Sequence, residues 1–166
     1  MLHQMSNFNI IENNVLKDNN DGVALWHSSY NLVTNNKISG NKSGIRANVD
    51  SNDNVISSNS IKDTKEYGIY FYTGADHNTV TDNTILNSKN AMYIRTSDNY
   101  LANNHLEDNT VGFHFIGDIA NNIVKDNIVK YTKSIAILIK NPGEAQNFRD
   151  NNTLYRNHNN FEVRKK

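Results

Sequence analysis

Apolar residues in this chain fall in short pulses that return every 23 residues or so, over seven consecutive segments. One aliphatic column runs Leu16, Ile38, Ile61, Ile85, Leu106, Val129 and Leu154. Two asparagine columns keep the same phase. The first is Asn9, Asn31, Asn54, Asn78, Asn99, Asn122 and Asn147; the second is Asn14, Asn36, Asn59, Asn83, Asn104, Asn127 and Asn152. Three columns in register over a whole chain are the mark of a solenoid.

Units this short cannot hold two packed helices. Asn, Asp, Ser, Thr and β-branched residues dominate, which favours strands and turns. Each unit reads as two short strands. In the second unit these are Asn31-Leu32-Val33 with Lys37-Ile38, then the Gly-led run Gly44-Ile45-Arg46-Ala47. That run recurs as Gly22-Val23-Ala24-Leu25, Gly68-Ile69-Tyr70-Phe71 and Gly112-Phe113-His114-Phe115, and with Ala at its head at Ala91 and Ala136. Stacked coil on coil, such units predict an all-β fold, a single-stranded right-handed parallel β-helix of about seven coils. Alternation turns Val23, Leu25, Ile45, Ile69, Phe71, Met92, Ile94, Phe113, Phe115, Ile137 and Ile139 inward. The asparagines are expected at the bends, as ladders bonding the coils above and below and tolerating left-handed turns.

The whole chain, 1–166, reads as one β-helix domain, expected to be a fragment lacking upstream coils. Residues 141–147, around the only proline, Pro142, predict a loop, and 160–166 a terminal half-coil and tail. Arg149 stands in an otherwise aliphatic column, so a polar last repeat is expected to cover the open end.

Composition narrows the function classes. Seventeen basic residues balance seventeen acidic ones, so no global field draws the protein to nucleic acid or membrane. There is no cysteine, hence no disulfide framework and no thiolate metal site. No run approaches the 18 or so apolar residues of a membrane-spanning helix. His27, His105 and His158 fall on different coils, the calcium-binding β-roll nonapeptide is absent, and neither metal nor cofactor is expected.

The outward positions of the Gly-led strand carry the chemistry. One column holds Ala24, Arg46, Tyr70, Tyr93, His114, Leu138 and Glu162; the other holds Trp26, Asn48, Tyr72, Arg95, Ile116, Lys140 and Arg164. Aromatic rings stack on sugar faces and arginine pairs with carboxylates, so this strip suits an acidic polysaccharide. Trp26, Arg46, Tyr70 and Lys140 are the expected substrate-binding residues. Tyr72, Tyr93, Arg95 and His114 lie on three adjacent coils and form the candidate catalytic group. Proton abstraction beside a uronate carboxyl needs a cation, a base and an acid, which Arg95, His114 and Tyr72 or Tyr93 supply by type. A strip that binds without catalysis, or a structural stalk, uses the same residues. Asp76-His77 reads as a turn rather than a dyad.

The segments Asp21-Gly22-Val23-Ala24-Leu25-Trp26-His27-Ser28 and Asn31-Leu32-Val33-Thr34-Asn35-Asn36 resemble coils of the mannuronan C5-epimerases of alginate biosynthesis. More broadly the repeats resemble those of carbohydrate-binding β-helix proteins and sugar hydrolases. This resemblance implies a polyuronate groove along one sheet, epimerase or β-eliminating lyase chemistry, and an extracytoplasmic location. The Asp-Pro-His signature of those epimerases is absent here, so no catalytic residue carries over by motif.

Overall fold

The computed structural model describes residues 1–117, 119–140 and 147–164, with only the main chain described over 147–150. The chain winds into a parallel β-solenoid of about seven turns, with no helix among the described residues. Three sheets run along it, one of eight strands and two of seven, and every strand pairs in parallel with its equivalent in the next coil.

The unit therefore has three strands, not two. What the sequence suggests is one apolar segment is cut by a turn: Leu32–Thr34 lies on one sheet and Lys37–Ser39 on another. Asn35 makes the corner with φ 54°, and the same corner recurs at Ser58, Asp82, Asn103, Asp126 and Asn151. The left-handed conformation thus falls on the residue before each ladder asparagine. Asn36, Asn59, Asn83 and Asn104 keep ordinary backbone angles and spend their amides on the ladder.

Those four residues are buried. Asn83 shows the pattern. Its Nδ2 donates to Thr81 O, to Ile56 O one coil back and to Asn104 Oδ1 one coil on, at 2.9–3.1 Å. Its Oδ1 accepts from the main-chain N–H and the amide of Asn59. One side chain so satisfies the polar groups of a bend that has left the sheet.

Inside, the aliphatic columns of the three sheets meet. Ile45, Ile69, Phe71, Met92, Ile94, Phe113 and Phe115 are fully buried, as alternation predicts. The last coil departs from expectation. Asn147 pairs with Ile123, one place beyond Asn122, and the register shifts before Asp150 meets Lys125. Asn147 therefore begins a strand; the rest of the expected loop, the side chain of Arg149 and the tail Lys165-Lys166 lie outside the described residues. The described part of this coil is no polar cover either: Phe161 and Val163, which continue the core columns of Ile137 and Ile139, are 46% and 42% exposed.

Candidate functional site

The eight-stranded sheet carries the site, because its strands are the long ones and their outward side chains stand in line. Tyr67–Tyr72, Asn90–Ile94, Val111–Ile116 and Ile135–Lys140 lie side by side. Pairing sets Tyr70 beside Tyr93 and Tyr93 beside His114.

Four tyrosines form one platform. Tyr67 stacks on Tyr70 with centroids 4.6 Å apart and tilts against Tyr93 at 4.8 Å; Tyr70 meets Tyr72 at 5.8 Å and Tyr93 at 5.5 Å. Arg95, exposed, lies over the Tyr72 ring at 4.7 Å, a cation–π contact that fixes where its charge sits. Burial raises the hydroxyl pKa of Tyr67 and Tyr93, and that of Tyr70 to about 12, with the neighbouring tyrosines adding to the shift at Tyr70. These phenols are hydrogen-bond donors at neutral pH, not bases.

The sequence reading misses Tyr67 altogether. Strict alternation turns it inward with Ile69, but the paired positions pass from Tyr67 to Ile69 and leave Gly68 out. A Cβ at Gly68 would stand 2.5 Å from the carbonyl oxygen of Ala91, so the chain bends there and the preceding residue reaches the outer face. Asp21, Tyr67 and Asn90 form this third outward column, and the signal was the residue just before each Gly or Ala head.

Asn90 fixes the state of His114. Its Nδ2 donates to Glu66 O, which leaves Oδ1 facing His114 Nδ1 at 3.0 Å. Nδ1 must then carry the proton, and Nε2 presents a lone pair, buried and without a partner. Tyr93 packs edge-on against the ring at 4.7 Å. His114 is only 8% exposed, so it is not the open base the sequence suggests. Burial, then the charges of Lys140 and Arg164, pull its pKa down to about 4.

His114 and Tyr93 line an open groove of about 360 Å³ together with Tyr67, Lys89, Lys140 and Arg164; no carboxylate lines it. Lys89 and Lys140 make no ion pair among the described residues, while Arg164 bonds Glu162. Tyr72, Tyr93, Arg95 and His114 are thus linked through the platform, of which Tyr70 is a member, and Lys140 lines the groove with Tyr93 and His114. Arg46 stands apart: its guanidinium is neutralised by Asp21 at 2.8 Å, in a second, smaller recess. Trp26 also lies outside the cluster, stacked on His3 at 6.0 Å near the first coil. Ala24 and Leu138 are covered rather than displayed. Asp76 is a turn residue whose Oδ1 accepts from Ser97 N, and His77 takes the left-handed angle there.

Residues 2–111 match the family described as right-handed β-helix region. The chain belongs to that family. Its coils therefore wind right-handed, as the crossover rule anticipates. No curated protein matches it. Among solved structures it is similar to an alginate lyase from Paenibacillus sp. str. FPU-7, with 14% identity and a TM-score of 0.44, over 85% of this chain and 76% of that one. The likeness lies in the coil architecture and assigns no chemistry to particular residues.

Proposed function

We propose that the eight-stranded sheet binds an acidic polysaccharide of the polyuronate type. One observation carries the reading: the groove is lined by the exposed parts of Tyr67 and Tyr93 and by the cations Lys89 and Lys140, neither in an ion pair among the described residues, with Arg164 held by Glu162 beside them and no carboxylate in the lining itself. In a chain of zero net charge, such a local excess is not a by-product of composition. Rings supply a sugar-stacking surface at low entropic cost, and the cations supply selectivity for carboxylates.

Binding is tested by calorimetry with alginate against a neutral glucan. Lys140→Ala should weaken alginate binding and leave glucan untouched, and added salt should weaken only the former. Tyr93→Ala should weaken both. Undiminished alginate binding by both variants favours the stalk reading instead. A second reading, polyuronate C5-epimerisation or β-elimination, rests on His114 and Tyr93 lining the groove together, and needs the buried Nε2 of His114 to become exposed to the ligand. It is tested by following unsaturated products in the ultraviolet and C5 inversion by proton NMR. An imidazole pulled down to about 4 is a weak base, so binding without turnover is the primary reading.

A further inference from the structure

We propose that the recess around Arg46 is a subsite for an uncharged sugar, so that the acidic chain on the groove is a mixed one, carrying a neutral sugar next to its uronates. This rests on the uronate reading of the groove and narrows the ligand from a homopolymer to a heteropolymer.

The two depressions follow one another along the eight-stranded sheet and share Tyr67. A single column of paired positions lines both. Asp21, Ser43 and Tyr67 lie on successive coils in the recess, and Tyr67, Asn90, Val111 and Ile135 continue the column through the groove. A ligand chain laid along the groove and continued past Tyr67 therefore enters the recess. From the strand of Asp21 to that of Tyr67 is two coil steps, roughly 10 Å, which is room for a sugar and its linkages.

The chain meets a different surface there. The groove lining holds cations and no carboxylate, whereas the recess, of about 100 Å³, sets Asp21 and Glu66 against Lys42 and Arg46. Each carboxylate has its own cation: Arg46 Nη2 lies 2.8 Å from Asp21, and Lys42 Nζ lies 3.8 Å from Glu66. The recess is neutral as a whole, though built of charges. A uronate placed in it would add a third carboxylate where both cations are already engaged. An amino sugar would meet the converse problem. The hydroxyls of a neutral pyranose both donate and accept, so neighbouring ones can bond a carboxylate and a guanidinium at once without breaking either pair. Tyr67 and Tyr70, stacked at 4.6 Å, wall the recess and supply an apolar surface for the sugar ring.

The test uses the full chain, isotope-labelled for NMR, with mannuronate trimer as the anionic probe and cellotriose as the neutral one. Mannuronate trimer should shift the amides of Lys89, Val111 and Lys140. Cellotriose should shift those of Ser43, Arg46 and Glu66. Glu66→Gln then removes the carboxylate less committed to the fold, half-buried and the farther of the two from its cation, and releases Lys42. It should tighten binding of mannuronate hexamer about threefold, the size of one exposed charge contact, and leave the trimer unchanged, because only the longer chain reaches the recess. High salt should erase that gain. If cellotriose leaves the recess amides unmoved, or if Glu66→Gln does not tighten the hexamer, the recess is a pair of structural ion pairs and the groove reading stands without it. If mannuronate trimer shifts no groove amide, the uronate reading itself falls.

Discussion

At the scale of single residues, the ladders explain why a chain with so few apolar residues folds at all. Each buried Asn closes a bend that sheet hydrogen bonds cannot reach. Asn83→Ala removes donors to Ile56 O and Thr81 O and strips Asn59 of its acceptor. The cost should be about 1–3 kcal/mol for each buried group left without a partner, read as a lower urea midpoint. The converse change should stabilise. A third ladder runs through Asn19, Asn41, Ser88, Asn109 and Asn157, and Thr64 and Thr132 interrupt it with buried hydroxyls that bond nothing. Thr64→Asn would place an Oδ1 before Asn41 N–H and an Nδ2 before Ile38 O, as Asn109 does with Ser88 N–H and Ile85 O. We expect a gain of about 1 kcal/mol, checked by the same denaturation. Two ladders were legible in the sequence because their members are Asn in coil after coil, up to the last, where Asn147 falls one place beyond the first column. The third was not, because Thr and Ser dilute it, and only the structure puts them in one column.

At the scale of elements, the strand faces were legible wherever the backbone alternates regularly, and they failed where it does not. Ile69, Phe71, Met92 and Ile94 follow the period of two and are buried. Tyr67 and Asn90 precede a bend at Gly68 and Ala91, so their outward position could not be counted from the period. That omission hid the residue that fixes His114. With Nδ1 bound to Asn90 and a folded pKa near 4, against 6.5 for a free imidazole, His114 binds a proton more readily in the unfolded chain. Stability therefore rises with pH between about 4 and 6.5 and is lost progressively as pH falls through that window. The contribution is on the order of 2–3 kcal/mol. Urea midpoints measured across the window should show this slope, and His114→Phe should flatten it. NMR titration should find the His114 ring neutral down to about pH 4; a midpoint near 6.5 would contradict the buried, Asn90-bonded geometry.

At the scale of the molecule, backbone pairing joins each coil to its neighbours alone and only a surface bond such as Lys133 to Asn87 reaches two coils, so stability is nearly a sum of coil terms and interface terms rather than one global quantity. The interfaces are unequal. In the middle, Phe71, Met92, Ile94, Phe113 and Phe115 are covered from both sides. Toward one end Leu2, Ile11 and Leu16 are only partly buried, and toward the other Phe161 and Val163 are about half exposed. The ladder thins in the same way: Asn14 donates to Asn36 Oδ1 but lies exposed. Local opening should therefore cost least at the two ends and most at the coils that carry the tyrosine platform. Amide hydrogen exchange should be slowest in Tyr67–Tyr72, Asn90–Ile94 and Val111–Ile116, and quicken steadily toward Leu2–His3 and Asn159–Arg164. Asn14→Ala should then be nearly silent, because its coil is already open. Asn83→Ala should raise exchange in the coils on both sides of it, since it cuts the ladder between Asn59 and Asn104. Uniform protection from end to end, with both variants equally costly, would mean the solenoid unfolds as one cooperative unit. The groove begins on the best-protected coils, at Tyr67, Tyr93 and His114, and runs to Lys140 and Arg164 toward the end that opens first, so the scaffold holds its aromatic part before any ligand arrives and binding must order the cationic part.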